Sequence, residues 1–177
     1  MNKIRTETRY VLDVSNVPNI AELGVAGGRR TDWHFDGWRV RYMETSGFTI
    51  SHSESTDTWT VISNDQSAKP KKKSITMSPQ DAGKLDVLCK HKVSSNMRFV
   101  TLAGVELLVE ECTLTTSGKT TTIYSTESED TIHDVAIHEL LPTLGIKVGT
   151  KYAGVPLLTV MLLTSDLKSV DDIKLAV

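Results

Sequence analysis

The chain has 177 residues, 39% of them apolar and 24% charged, with a formal net charge of −2. That length suits one domain spanning residues 1–177 and is short for two, and the composition excludes a disordered or fibrous chain. The near-neutral balance argues against general nucleic-acid binding, which needs a basic excess to neutralise phosphates.

The N-terminus opens with charge rather than the apolar run of a secretory signal, so a cytoplasmic location is expected. Arg5 to Val14 alternates as a strand, with Arg5, Glu7 and Arg9 on one face. A helical turn is expected near Val17 to Leu23, broken by Gly24 and the Gly27-Gly28 pair. Trp38 to Met43 reads as a strand carrying Arg39 and Arg41 on one side, and Phe48 to Ser51 and Thr58 to Ile62 read as two more.

The basic interval Lys69 to Lys73 reads as a solvated loop that forms a basic rim, with Lys71 and Lys73 as candidate anion contacts. A helix then starts at Ser78, which can cap, with Pro79 in the first turn and Asp81 suited to the positive end. Its apolar stripe is Ala82, Leu85, Leu88 and Cys89. Strands follow at Met97 to Leu102, Val105 to Leu114 and Thr120 to Thr126. A second helix takes its apolar face from Ile132, Val135, Ala136 and Leu140 and stops near Pro142 and Gly145. The segment from Leu157 onward is expected to be helical. Its apolar run, Val155 to Leu163, is about half of the ~20 residues that a membrane helix needs, so no membrane association is expected. The chain is therefore α+β, with antiparallel hairpins forming a sheet or barrel and helices packed outside.

Most familiar chemistry is absent. Cys89 and Cys112 lack CxxC spacing and read as buried free thiols. His133 and His138 are five apart, which misses the pairing that puts two imidazoles on one helical face. There is no GxSxG elbow and no GxxxxGK[ST] loop. Trp33, Phe35 and Trp38 read as core, with stacking on a nucleobase as the alternative.

Several short pieces, in order, resemble the CYTH or triphosphate-tunnel family. Arg5-Thr-Glu-Thr-Arg9 is similar to its opening ExExK strand, with Glu7 kept and the first glutamate replaced by Arg5. Arg39-Val-Arg41 matches an RxR strand, and Met97-Arg-Phe resembles a KxRY-type strand contributing Arg98. Val109-Glu-Glu-Cys is similar to a following strand that carries an acid. Thr122 to Asp130 resembles the AExE strand, with Ile123 and Ser125 where carboxylates are expected. Leu141-Pro-Thr-Leu-Gly-Ile-Lys-Val-Gly-Thr-Lys-Tyr is similar to the closing LPxxLGxEVTxxxxY segment.

The resemblance implies an antiparallel barrel or tunnel, with helices outside, whose lumen holds a triphosphate through basic side chains and Mg²⁺ or Mn²⁺ through carboxylates. It places Arg9, Arg39, Arg41 and Arg98 on phosphate, with Arg5, Lys71 and Lys73 as further basic candidates. Any metal would fall to Glu7 and to Glu110 or Glu111, both carried because a one-residue slip reverses the faces. Two such acids hold an ion that prefers about six oxygen ligands only where water and substrate supply the rest. The expected function is thus nucleotide, triphosphate or other polyanion binding with weak or lost catalysis. The alternatives are a metal-dependent triphosphatase and a regulatory or structural module for a protein partner. For the arginines, the competing use is cross-strand pairing with Glu7, Glu106 and Glu110.

Overall fold

A computed structural model of the protein describes residues 4–6, 9–17, 19–36, 47–63, 71–128 and 130–152. The expected strand with Arg39 and Arg41, the expected C-terminal helix, and Glu7 lie outside the described residues. Among these residues the strands are β1 (Ile4–Thr6), β2 (Arg9–Asp13), β3 (Val25–Asp36), β4 (Gly47–Ser53), β5 (Thr58–Ser63) and β6 (Lys71–Ile75). They continue with β7 (His91–Leu102), β8 (Val105–Leu114), β9 (Thr120–Glu127) and β10 (Lys147–Tyr152). Two helices, α1 (Pro79–Leu88) and α2 (Thr131–Thr143), and a 3₁₀ turn at Ile20–Leu23 complete the set. The fold class is α+β, as the sequence implies.

The strands make one antiparallel sheet in the order β1-β6-β5-β4-β3-β7-β8-β9-β2-β10. Its hydrogen-bond ladder is not closed among the described residues, so the expected barrel is corrected to a curled sheet. Chain connectivity causes the curl. β1 sits at one edge and β2 next to the other, yet three Cα steps from Thr6 to Arg9 span no more than about 11 Å. The two ends of the sheet are thereby drawn together around a concave face.

Alternation along β8 separates the two faces. Val105, Leu107 and Val109 point outward into a core with Tyr10, Leu12, Ile137, Leu141 and Ile146. Leu108, Glu110, Cys112 and Leu114 are buried on the other, concave side. Both faces of this central strand are covered from Leu107 to Glu110, where four successive residues are buried.

The helices seal the outside. In α2, the Asp130 carboxylate accepts from the His133 backbone N–H at 2.8 Å, and Ile137 and Leu141 turn to the sheet. The helix stops at Gly145 (φ 84°), where Ile146 N–H reaches Leu141 O and Gly145 N–H reaches Pro142 O, both at 3.1 Å. That pair of bonds is a Schellman end, and it needs the left-handed residue that glycine supplies. In α1, the Ser78 hydroxyl accepts from Asp81 N–H at 3.1 Å and Pro79 takes the first turn. α1 is held to the sheet by Leu85 and by Asp86, which accepts from the Trp33 indole at 2.7 Å and pairs with Lys92 at 2.9 Å. Trp33 also stacks on Trp59, so this aromatic is core as expected.

Three further expectations change. β3 runs through the Gly27-Gly28 pair, because a register shift between Ala26 and Gly28 forms a bulge with Gly28 at φ 89°. A side chain at Gly27 would sit 2.5 Å from the Phe99 ring. Glycine here permits the bulge rather than ending an element. The lysine interval is a strand rather than a loop, since Lys71 to Lys73 pair with β1 and Lys72 and Lys73 with β5. Lysine is well suited to a strand one position from a sheet edge. Finally, Leu88 is exposed, and of the expected α1 stripe only Leu85 is buried.

Candidate functional site

The concave face is polar where an ordinary core would be apolar. Strand register sets its rows: Asp32 opposite Ser51 and Val93, Arg30 opposite Ser95, Ser95 opposite Cys112, and Met97 opposite Glu110. Asp32 is 1% exposed and Glu110 0%. Such acids persist inside a protein only when paired, because burying an isolated carboxylate costs several kcal/mol.

Arg30 is the partner of both. Its Nε donates to Asp32 Oδ2 at 2.9 Å, its Nη2 donates to Glu110 Oε2, and its Nη1 lies 3.7 Å from Met97 Sδ. Burial works against the guanidinium charge, but the Asp32 and Glu110 carboxylates outweigh it and hold Arg30 above the ordinary arginine range. Among the described residues, the second oxygens, Asp32 Oδ1 and Glu110 Oε1, have no hydrogen-bond partner, and neither does Ser125 Oγ.

Neighbouring groups are kept neutral. Burial lowers His34 to about 4, with His91 and Arg30 acting in the same direction and Asp32 against. Its Nδ1 lies 2.9 Å from Thr49 Oγ1, and its Nε2 has no partner among the described residues. Burial raises the Cys112 thiol to about 12, reinforced by Glu110 and opposed by the Ser95 hydroxyl donating to Sγ at 3.4 Å. Cys112 is thus an inert thiol rather than a nucleophile or ligand.

The expected site residues are scattered by register. Glu110 is on the concave face, whereas Glu111 is exposed on the other side. Arg98 stands opposite Val109 and so faces away from Glu110, with Nη2 3.5 Å from Gly24 O. Arg9 is 3.8 Å from Glu127, and both line a cavity of about 210 Å³ with Phe99, Leu108 and His133. Among the described residues, the carboxylate beside Arg9 is thus Glu127 of the neighbouring strand rather than Glu106 or Glu110. Arg5 is placed by register alone, opposite Lys72, and Lys71 opposite Thr6. Lys73 is exposed. Arg39, Arg41 and Glu7 are outside the described residues.

Arg30 and Asp32 escaped the sequence reading. The signal was present as Arg30-x-Asp32-x-His34, polar at every second position beside Trp33 and Phe35. It was hidden because the glycine pair two residues earlier read as a break.

The Mg²⁺ or Mn²⁺ that the resemblance implies does not fit these residues. Ile123, in a position where a carboxylate is expected, stands directly opposite Glu110, and Ser125 stands opposite Leu108. Arg30 occupies one oxygen of each remaining acid. Among the described residues, no group of three His, Cys, Asp or Glu side chains is arranged to hold a metal.

No protein-family model matches the sequence, and no curated protein matches it significantly. Solved structures do match. A protein from Bacillus halodurans provisionally named an adenylate cyclase superposes with TM-score 0.55 at 13% identity, covering 84% of this chain and 94% of that one. The PH1819 protein from Pyrococcus horikoshii gives 0.49 at 14%, covering 92% and 100%. HpAC1 from Hippeastrum, provisionally named an adenylyl cyclase and described as having a dominant triphosphatase activity, gives 0.47 at 14%, covering 95% and 98%. The fold is thus shared with the Bacillus halodurans protein. Identity this low extends the likeness to fold and no further. No helix among the described residues is long and apolar enough to cross a membrane.

Proposed function

We propose that the curled sheet binds a phosphorylated small molecule, a nucleotide or triphosphate, against its concave face, with weak or absent turnover. The observation that carries this reading is the set of buried, unpartnered oxygens, Asp32 Oδ1, Glu110 Oε1 and Ser125 Oγ. An unsatisfied buried polar atom costs about 1–3 kcal/mol, and a face built only for stability would not keep several together. Carboxylate oxygens accept hydrogen bonds and never donate. They suit amino or hydroxyl groups, which favours a nucleotide over bare triphosphate.

Its phosphates require cations that the acid pair has not already taken. Arg39 and Arg41 are assigned that role, with Arg9, Arg5 and the β6 lysines as further contributors, since guanidinium forks match phosphate oxygens. Calorimetry at low salt with ATP, GTP and tripolyphosphate tests the reading. A nucleotide should bind more tightly than tripolyphosphate, and Arg39→Ala or Arg41→Ala should weaken binding. Absence of binding by all three overturns it. Phosphate release stimulated by Mn²⁺ and abolished by Glu7→Gln would put the metal-dependent triphosphatase in its place.

One observation favours partner recognition as a second reading. Val87 and Leu88 on α1, and Ile132 and Val135 on α2, are exposed apolar side chains on the outer surface. A protein partner retained after Arg39→Ala and Arg41→Ala, but lost on Val87→Asp or Ile132→Asp, would support it.

A further inference from the structure

The pairing of Arg30 with both buried acids has a consequence for cations that does not depend on the ligand. Asp32 comes from β3 and Glu110 from β8, with β7 between them. One guanidinium joins them through Nε and Nη2, and its Nη1 rests on Met97 Sδ. A small oxygen-seeking dication placed between the same carboxylates would need their oxygens and would lie within a few Å of a fixed positive charge. Repulsion at that distance in a low-dielectric interior is worth more than roughly 100-fold in affinity. The two cations are alternatives.

We propose that Arg30 is a built-in replacement for a metal ion, holding Asp32 and Glu110 together so that this acid pair excludes divalent cations. Removing its charge creates a divalent site. Arg30→Gln frees all four carboxylate oxygens and adds an amide oxygen, a set of hard donors suited to Mn²⁺ or Mg²⁺. In the wild type, one oxygen of each acid is without a partner among the described residues. Arg30 contributes +1 against two carboxylates, so the trio carries −1 when all three are ionised. The remaining oxygens are open to a ligand's hydrogen-bond donors rather than to a second strong cation.

The test is Mn²⁺ binding, read by electron paramagnetic resonance and by paramagnetic broadening of the Met97 methyl signal. The wild type should show neither effect. Arg30→Gln should bind one Mn²⁺, broaden Met97, gain thermal stability with Mn²⁺, and lose all three when Glu110→Gln is added. Arg30→Lys keeps a positive charge and should still exclude the ion. Wild-type binding of one Mn²⁺ with Met97 broadened overturns the proposal. So does a folded Arg30→Gln that ignores Mn²⁺, or an Arg30→Lys that binds it as tightly as Arg30→Gln. If Arg30→Gln is unfolded alone, Mn²⁺ should refold it, and failure to do so also counts against the proposal.

Discussion

The two faces of the sheet bury side chains for different ends. On the outer face, Leu107 and Val109 are fully buried apolar groups of β8, packed against Leu141 of α2 and against Ile146. On the inner face, equally buried positions hold Asp32, Glu110 and Ser125, each with an atom left unsatisfied among the described residues, and the part-buried Arg30 joins the two acids. The same strands supply both, residue by alternate residue. The outer face is organised for stability, while the inner face gives up stability to keep polar groups in place.

The largest expected effect breaks the inner face. Arg30→Met leaves two buried carboxylates without their cation, a change of the kind that costs about 3–5 kcal/mol. Because much of that loss comes from stranded charge, adding Asp32→Asn and Glu110→Gln should restore most of it. Urea unfolding of the single and triple variants checks this. A triple variant no more stable than Arg30→Met would mean that the trio is held by shape rather than charge.

The outer counterpart is Leu141→Ala. Removing a fully buried leucine should cost about 2–5 kcal/mol through lost transfer energy and a cavity. No second substitution by a polar group should rescue it. Melting with and without nucleotide should give the same ligand-induced shift as in the wild type, since the change lies on the opposite side of the sheet.

A third contrast is in pH. His34 titrates near 6.5 when unfolded and is lowered to about 4 by burial in the fold. Between those values the unfolded chain binds more protons. Stability from the neutral imidazole is therefore present above pH 6.5, is lost as pH falls toward 4, and levels off below. The slope from this one group is at most about 1.4 kcal/mol per pH unit. His34→Gln should flatten that part of the profile, measured as denaturation midpoint against pH, and an unchanged slope would remove His34 as its source.

The outer face was easier to read from the sequence than the inner one. Ser78-Pro79 announces α1 and Pro142 with Gly145 announces the end of α2, because caps and stops are local chemistry. The buried face of α2 was less legible. Ile132, Val135 and Leu140 have helical spacing but are exposed, while Ile137 and Leu141 are buried. The helix has apolar residues on several sides, and the sheet decides which side is used. Within the site, Glu110 was legible as one of the acidic pair Glu110-Glu111 that follows the apolar run Leu107 to Val109. Arg30 and Asp32 were not, since their strand depends on a bulge that β7 and Phe99 impose from far along the chain. Register also decided between Glu110 and Glu111, and no local signal fixes register.

The smallest effect isolates the outer helix from the site. Asp130 caps α2 by accepting from the His133 N–H, and its carboxylate is also 3.9 Å from His133 Nδ1. Asp130→Ala removes both contacts and should cost about 1 kcal/mol, within the usual 0.5–2 range for a lost cap. Asp130→Ser keeps an acceptor for the backbone but no charge. If capping is what matters, it should recover most of the stability. If the charge at the helix N-terminus matters more, it should recover little. Neither variant should change Mn²⁺ exclusion or nucleotide affinity, because the cap lies beyond the outer core from Arg30. Weakened binding in Asp130→Ala would mean that the first turn of α2, where His133 lines the cavity with Arg9, takes part in holding the ligand.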